Sequence, residues 1–201
     1  SRHDVMPYRV FLGQVAERLH RTYDARPNGY EQPAQFRADI ALLAEGTPVT
    51  PYAGPEQGYK ITPAQLEAAI TPKTRLFMLN SPSNPTGLAY DKNTLEEIAA
   101  LAVRHGIYVV SDEIYEKLIY DGFSHVSIAS LGQKIKDLTL VVNGVSKSHS
   151  MTGWRIGYAA GPKDVITAMA NIQSQSTSNP ASISQKAAER RFGGRGRLRG
   201  A

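Results

Sequence analysis

The chain has 201 residues, 41% hydrophobic, 20% charged and 8% aromatic, enough to bury the core of one domain and too few for two full enzyme domains. It has no cysteine, which excludes disulfides, thiolate metal sites, iron–sulfur clusters and a cysteine nucleophile, and no apolar run approaches the roughly 18 residues of a spanning helix. The net charge of +5 sits entirely in residues 186–201, which hold six basic residues and one acid, so a basic nucleic-acid-binding fold is not expected.

The first 46 residues hold one helix-like stretch, Phe11 to Leu19, and no strand pattern. They also lack the apolar run and small-residue cleavage site of a secretory leader, so a cytoplasmic location is expected. Thr62-Pro63-Ala64-Gln65 predicts a helix start, with Thr as the cap, Pro at the first helical position and Gln three residues after the cap. The helix runs through Ile70 and is followed by an apolar strand, Leu76 to Leu79. Asp91 caps a second helix whose Leu95, Ile98, Ala99 and Ala102 recur at helical spacing, and Gly106 ends it. Further strands are predicted at Ile107 to Val110, Leu138 to Val142 and Arg155 to Ala160, with a helix from Lys163 to about Ser174. Continuous apolar strands separated by helices predict an α/β fold in three layers, a mostly parallel sheet with helices on both faces.

Ligands of such sheets bind beyond the carboxyl ends of the strands. Here each strand runs into a polar cluster: Leu79 into Asn80-Ser81-Pro82-Ser83-Asn84-Pro85-Thr86-Gly87, Val110 into Ser111-Asp112-Glu113, and Val142 into Asn143-Gly144-Val145-Ser146-Lys147. Singly, each has an ordinary reading: Lys147 as a solvated surface lysine, Asp112 as a cap or turn former, Asn84-Pro85-Thr86-Gly87 as a plain turn, Arg155 as a surface ion pair. Together they form one candidate site. The five histidines are scattered, without metal-ligand spacing, and no metal is expected.

In this order, SPSNPTG, SDEIY and SKSHSMTGWRIG resemble the class I, fold-type-I aminotransferases that depend on pyridoxal 5'-phosphate, and among them the bacterial aspartate aminotransferase subgroup. The likeness runs from about Thr47 to about Ala188 and implies the large domain of that fold, incomplete. It implies that Lys147 binds the cofactor aldehyde as a Schiff base and later moves the substrate proton, work that suits an amine whose pKa shifts readily. Asp112 then pairs with the pyridine nitrogen, Tyr115 and Asn84 bond the ring oxygen, and Arg155 and Ser146 take the phosphate. The resemblance further implies a cis Asn84–Pro85 bond, amino-acid and 2-oxo-acid substrates, and a homodimer in the intact family. From the composition no membrane partner is expected, and nucleic acid is an unexpected partner that only the Arg-rich tail could bind. Trp154 and Met151 are expected to pack beside the site. His149 is expected to play no catalytic part, Glu113 to face solvent or cap a helix, and His105 and His125 to lie at a helix end and in a loop.

Residues 1–46 and 189–201 do not share the resemblance. All nine lysines fall between Lys60 and Lys186, where only three arginines occur; the flanks hold eleven arginines and no lysine. Two readings stand: Arg-rich flanks that solvate or bind something, or flanks translated from another frame of GC-rich DNA. The expected division is a non-matching flank 1–46, a partial cofactor-binding domain 47–188 and a Gly/Arg-rich tail 189–201. The family's Gly-containing phosphate helix and its substrate-gripping arginine have no counterpart here. The chain is therefore expected to be a central fragment that binds the cofactor weakly and transaminates negligibly. Two rival readings remain open: another fold-type-I enzyme (a β-lyase or a synthase), and an effector-sensing module without catalysis.

Overall fold

The structure, a computed structural model, describes residues 39–42 and 44–191; the helix-like stretch Phe11 to Leu19 and the end of the Gly/Arg-rich tail lie outside the described residues. By its internal contacts the chain divides into two compact units. Among the described residues, Pro51–Ile166 with residues 180–191 carries the sheet and all the candidate site residues, and residues 39–42 and 44–50 with Thr167–Asn179 belong to the other.

Helix α1 (Pro63–Ala69) starts on the expected capping box. Thr62 Oγ1 accepts from the Gln65 N–H at 3.2 Å, and Gln65 Oε1 accepts from the Thr62 N–H at 2.8 Å. Strand β1 (Leu76–Asn80) leads to helix α2 (Lys92–His105), capped by Asp91, whose carboxylate accepts from the Thr94 N–H and hydroxyl, each at 2.9 Å. Those bonds hold the Asp91 carboxyl below the usual carboxylate range, and a cap of this kind is worth about 1 kcal/mol. Gly106 ends α2 at φ 63°, in the left-handed region that glycine reaches without strain. The chain continues through β2 (Tyr108–Asp112), a short α3 (Gln133–Lys136), β3 (Thr139–Gly144), a one-turn α4 (Val145–Ser148) and β4 (Gly157–Ala160). Helices α5 (Lys163–Ser176) and α6 (Ser182–Arg191) follow. Helix α6 is unexpected, because its Lys/Arg-rich sequence hides the small buried face formed by Ser184 and Ala188.

The four strands lie in the order β1-β2-β3-β4. The first three are parallel, as expected, but β4 starts two residues later than the predicted Arg155 and runs antiparallel to β3, with Gly144 opposite Gly157. The physical reason is the connection. Residues 145–156 form the one-turn helix Val145–Ser148 and the tight turn Thr152–Trp154 instead of a crossover helix lying over the sheet, so the chain turns back beside β3. Gly144 makes the turn possible, because a Cβ there would lie 2.8 Å from the Ile156 carbonyl oxygen and 3.1 Å from the Ile114 side chain.

Register assigns the faces. Phe77, Val109 and Thr139 align across the sheet, as do Leu79, Ser111 and Val141, and this face packs on Leu66 of α1, on Leu95, Ile98, Ala99 and Ala102 of α2, and on Ile128 and Ile135. A smaller cluster joins Val145, Met151 and Ile156 to Ala188 of α6. Met151 is thus buried as expected, whereas Trp154 is exposed. The opposite face presents Met78, Asn80, Val110, Asp112, Leu140 and Val142, all half-buried.

Glu113 departs most from expectation. It faces neither solvent nor a helix cap; only 3% of it is exposed. Its Oε1 accepts from the Ser111 hydroxyl at 2.8 Å and the Ser127 hydroxyl at 2.7 Å, and His125 Nε2 lies 3.1 Å from Oε2. Burial pushes this carboxyl up, but the bonds from His125, Ser127 and Ser111, with the charge of His125, outweigh it and hold the carboxyl below its ordinary value of 4.5. A carboxyl depressed in the folded state adds stability that is complete above the unfolded pKa and is lost as pH falls through the folded one. Denaturation curves from neutral pH to about pH 3 should therefore show the native chain losing stability below pH 4.5 more steeply than Glu113→Gln. At neutral pH the variant should be the less stable by about 1–3 kcal/mol. Parallel curves would contradict the assignment.

Candidate active site

The carboxyl ends of β1, β2 and β3 lie side by side because the register pairs Asn80 with Asp112 and Asp112 with Val142. Asn80 organises the loop that follows β1. Its Nδ2 donates to the carbonyls of Pro82 and Asp112 at 3.3 and 3.2 Å, and its Oδ1 accepts from the Asn84 N–H at 2.9 Å. The Ser81 hydroxyl accepts from the Tyr90 N–H at 3.1 Å, tying the loop to the approach to α2. The peptide bonds preceding Pro82 and Pro85 are both cis, the second as the resemblance implies. Gly87, at φ 72°, closes the turn with its N–H on the Ser83 carbonyl at 2.8 Å.

This loop forms one wall of a pocket of about 190 Å³, through Pro82, Ser83, Asn84, Pro85 and Gly87. The other wall is Tyr115 with Leu118, from the segment after β2. Tyr115 also reaches the third strand end: Lys147 Nζ lies 5.6 Å from the centre of its ring, within cation–π range. Lys147 sits in α4, one turn past β3, with Ser146 half-buried beside it. Asp112 ends β2, and its Oδ1 accepts from the Ile114 N–H at 3.3 Å at the start of the turn that carries Tyr115.

The structure thus draws Asn84, Tyr115 and Lys147 into one chain of neighbours and sets Asp112 at its base, on the half-buried face of the sheet. Arg155 stands apart from the pocket walls. It takes the left-handed conformation at φ 54° ahead of β4, is exposed, and donates to the Thr152 carbonyl at 3.2 Å. The Ser148 hydroxyl, on the residue after Lys147, lies 2.8 Å from His149 Nδ1.

Sequence reasoning missed Asn80 as the organiser of the loop, Leu118 as a pocket wall and Glu113 as a buried acid. The last was recoverable: Glu113 is two residues past Ser111 and four past Val109, so alternation directs it to the buried face. Glu116 approaches the same region, and the ligand atoms of Glu113, Glu116 and His125 lie within 4.8 Å of one another. Within it, Glu113 is engaged by Ser111, Ser127 and His125, and Glu116 pairs with Lys117 at 3.7 Å. Burial raises the pKa of Tyr158, opposite Asn143 on β4, and the charges of Glu116 and Glu113 raise it further.

An amine beside a phenol, a carboxylate at a strand end, a loop amide and a guanidinium are a donor set that fits an anionic pyridine aldehyde. The carboxylate suits a ring nitrogen that carries a proton, the amine suits the aldehyde, and the guanidinium and a hydroxyl suit the phosphate.

The family described as aminotransferase class I and II matches residues 37–192. The aspartate aminotransferase of Bacillus sp. (strain YM-2) is 57% identical over 152 residues, which is 76% of this chain and 39% of that protein. The aspartate/prephenate aminotransferase of Cereibacter sphaeroides is 55% identical over 151 residues, 75% of this chain and 38% of that protein. The crystal structure of the Rhizobium meliloti aspartate aminotransferase superposes with a TM-score of 0.75 at 47% identity, covering 78% of this chain and 39% of that one. The chain therefore spans about two fifths of the length of the relatives it matches. Matched by the family model over residues 37–192 and by relatives over about three quarters of its length, the chain belongs to the class I and II aminotransferase family.

Proposed function

We propose that this chain forms the cofactor-holding floor of a pyridoxal-phosphate-dependent aminotransferase that moves an amino group between aspartate, or a similar amino acid, and a 2-oxo acid. The observation that carries the reading is the placement of Lys147 Nζ 5.6 Å from the Tyr115 ring, with Asp112 three residues before that tyrosine at the end of β2. In the same reading the intact protein works as a homodimer in the cytoplasm, as the resemblance to bacterial aspartate aminotransferases implies.

Pyridoxal 5'-phosphate, when bound, supplies an aldehyde that an amine can capture and a protonated ring that draws electron density from the substrate α-carbon. The protein's part is to hold and to move protons. Asp112, a carboxylate on the half-buried face, holds the proton on the ring nitrogen; a neutral side chain there would let it go. The Tyr115 hydroxyl and the Asn84 amide orient the ring by hydrogen bonds to its oxygen. Lys147 Nζ would hold the aldehyde and would carry the proton at the substrate α-carbon. A lysine suits this double duty because its amine exchanges a proton readily once desolvated. Arg155 and the Ser146 hydroxyl would hold the phosphate.

Two substitutions separate the roles. Arg155→Ala should weaken the binding of pyridoxal phosphate, measured by equilibrium titration, on the order of 10- to 100-fold, the worth of a charged hydrogen-bond pair. Asp112→Asn should leave affinity within a few-fold, because the ring still fits. It should, however, lower the pH at which the ring nitrogen of the bound cofactor loses its proton, read from the absorption spectrum of the bound cofactor, because a neutral amide cannot hold that proton as a carboxylate does. If both variants lose affinity and shift that titration alike, the roles assigned to the two residues are wrong.

A further inference from the structure

The segment from residue 113 to residue 127 leaves the end of β2, carries Tyr115 and Leu118 to the pocket wall, and returns to the core at Ile128. Leu118, Tyr120 and Phe123 are exposed along it. Its interior turns are local, with the Leu118 N–H on the Tyr115 carbonyl at 2.8 Å and the Phe123 N–H on the Tyr120 carbonyl at 3.1 Å. The two ends of the segment meet at one side chain. Glu113 Oε1 bonds both the Ser111 hydroxyl on β2 and the Ser127 hydroxyl at the far end, and Oε2 lies against His125 Nε2. The Glu113 N–H donates to the Val142 carbonyl at 2.9 Å, so the same residue also anchors the segment to β3.

Alternation places Ser111 and Glu113 on the buried face and Asp112, between them, on the opposite one. Fixing the first two therefore fixes the backbone from which Asp112 and Tyr115 project. An ionised carboxylate is an acceptor with about four lone-pair sites on two oxygens, so it can engage three donors from three chain positions at once. A hydrocarbon there would leave the buried Ser111 hydroxyl and the half-buried Ser127 hydroxyl without their acceptor.

We propose that Glu113, with Ser127 and His125, acts as a positioning clasp for the active site. It closes the neck of the 113–127 segment behind the sheet and thereby sets Asp112 and Tyr115 toward the cofactor. The proposal rests on the cofactor reading above for what those two residues face, and on geometry alone for the clasp.

Amide hydrogen exchange on the full chain without cofactor tests the clasp. Glu113→Ala should speed exchange across residues 113–127 on the order of tenfold while changing α1, α2 and β1 much less. Glu113→Gln, which keeps the shape and one acceptor oxygen, should recover part of the protection. If Glu113→Ala does not fold, Ser127→Ala, which removes one bond without emptying the site, gives the same comparison and should show the same local effect at smaller amplitude. A uniform rise over all elements would mean a merely structural residue and would overturn the proposal, as would unchanged exchange in 113–127.

Pyridoxal phosphate titration supplies the second readout. The folded clasp variant should bind several-fold more weakly, with a reduced visible circular dichroism band of the bound cofactor, and Glu113→Gln should restore the band in part. Asp112→Asn is run alongside. If it alters the band and the clasp variants do not, the clasp does not position the site and the proposal falls. If Asp112→Asn also leaves the band untouched, the cofactor reading itself is overturned and the positioning role falls with it.

Discussion

The parallel register of β1, β2 and β3 is the constraint on which the site depends. Parallel neighbours end at the same edge, so residues far apart in sequence, Asn80, Asp112 and Val142, become a row of adjacent positions. The loops that follow have nowhere to go but that edge. The Pro-rich turn after β1, the Tyr115 segment after β2 and the Lys147 turn after β3 all meet there. The antiparallel β4 completes the arrangement by bringing the chain back after Lys147, packed so closely on Gly144 that a Cβ there would lie 2.8 Å from the Ile156 carbonyl oxygen.

Much of this was legible in the sequence, for physical reasons that can be named. The caps at Thr62 and Asp91 and the stop at Gly106 rest on local hydrogen bonding and backbone freedom, which a short window of sequence contains in full. The apolar runs of β1 to β3 marked buried strands whatever their partners. The direction of β4 was not legible, because it depends on the length and packing of the 145–156 connection. Helix α6 was hidden because so few of its side chains are buried. The burial of Glu113 was legible from its alternation with Val109 and Ser111, but its partners were not, because Ser127 and His125 lie 14 and 12 residues away and only the fold closes that loop.

The two faces of the sheet edge divide the labour. Behind, toward α2, polar groups are satisfied by one another: Ser111, Glu113, Ser127 and His125 form a closed network, with Tyr158 near the carboxylates. In front, Asn80 spends its amide on the backbone, and Asp112 remains half-buried at the end of its strand. A group that must exchange protons with a ligand gains from such a position, because partial burial strengthens its fields while leaving access. Tyr115 joins the parts, touching the pocket wall shared with Asn84 on one side and the Lys147 amine on the other.

Everything in the functional reading passes through one atom, Lys147 Nζ. Nine lysines are available to a free aldehyde in this chain, and a formed site must distinguish one of them. The direct measurement is borohydride reduction of the chain equilibrated with pyridoxal phosphate at low stoichiometry, followed by peptide mapping of the phosphopyridoxyl label. The label should fall predominantly on the peptide containing Lys147 and disappear from it in Lys147→Ala without moving in full to another lysine. Labelling spread evenly over the lysines, or concentrated at one remote from Tyr115, would contradict the site.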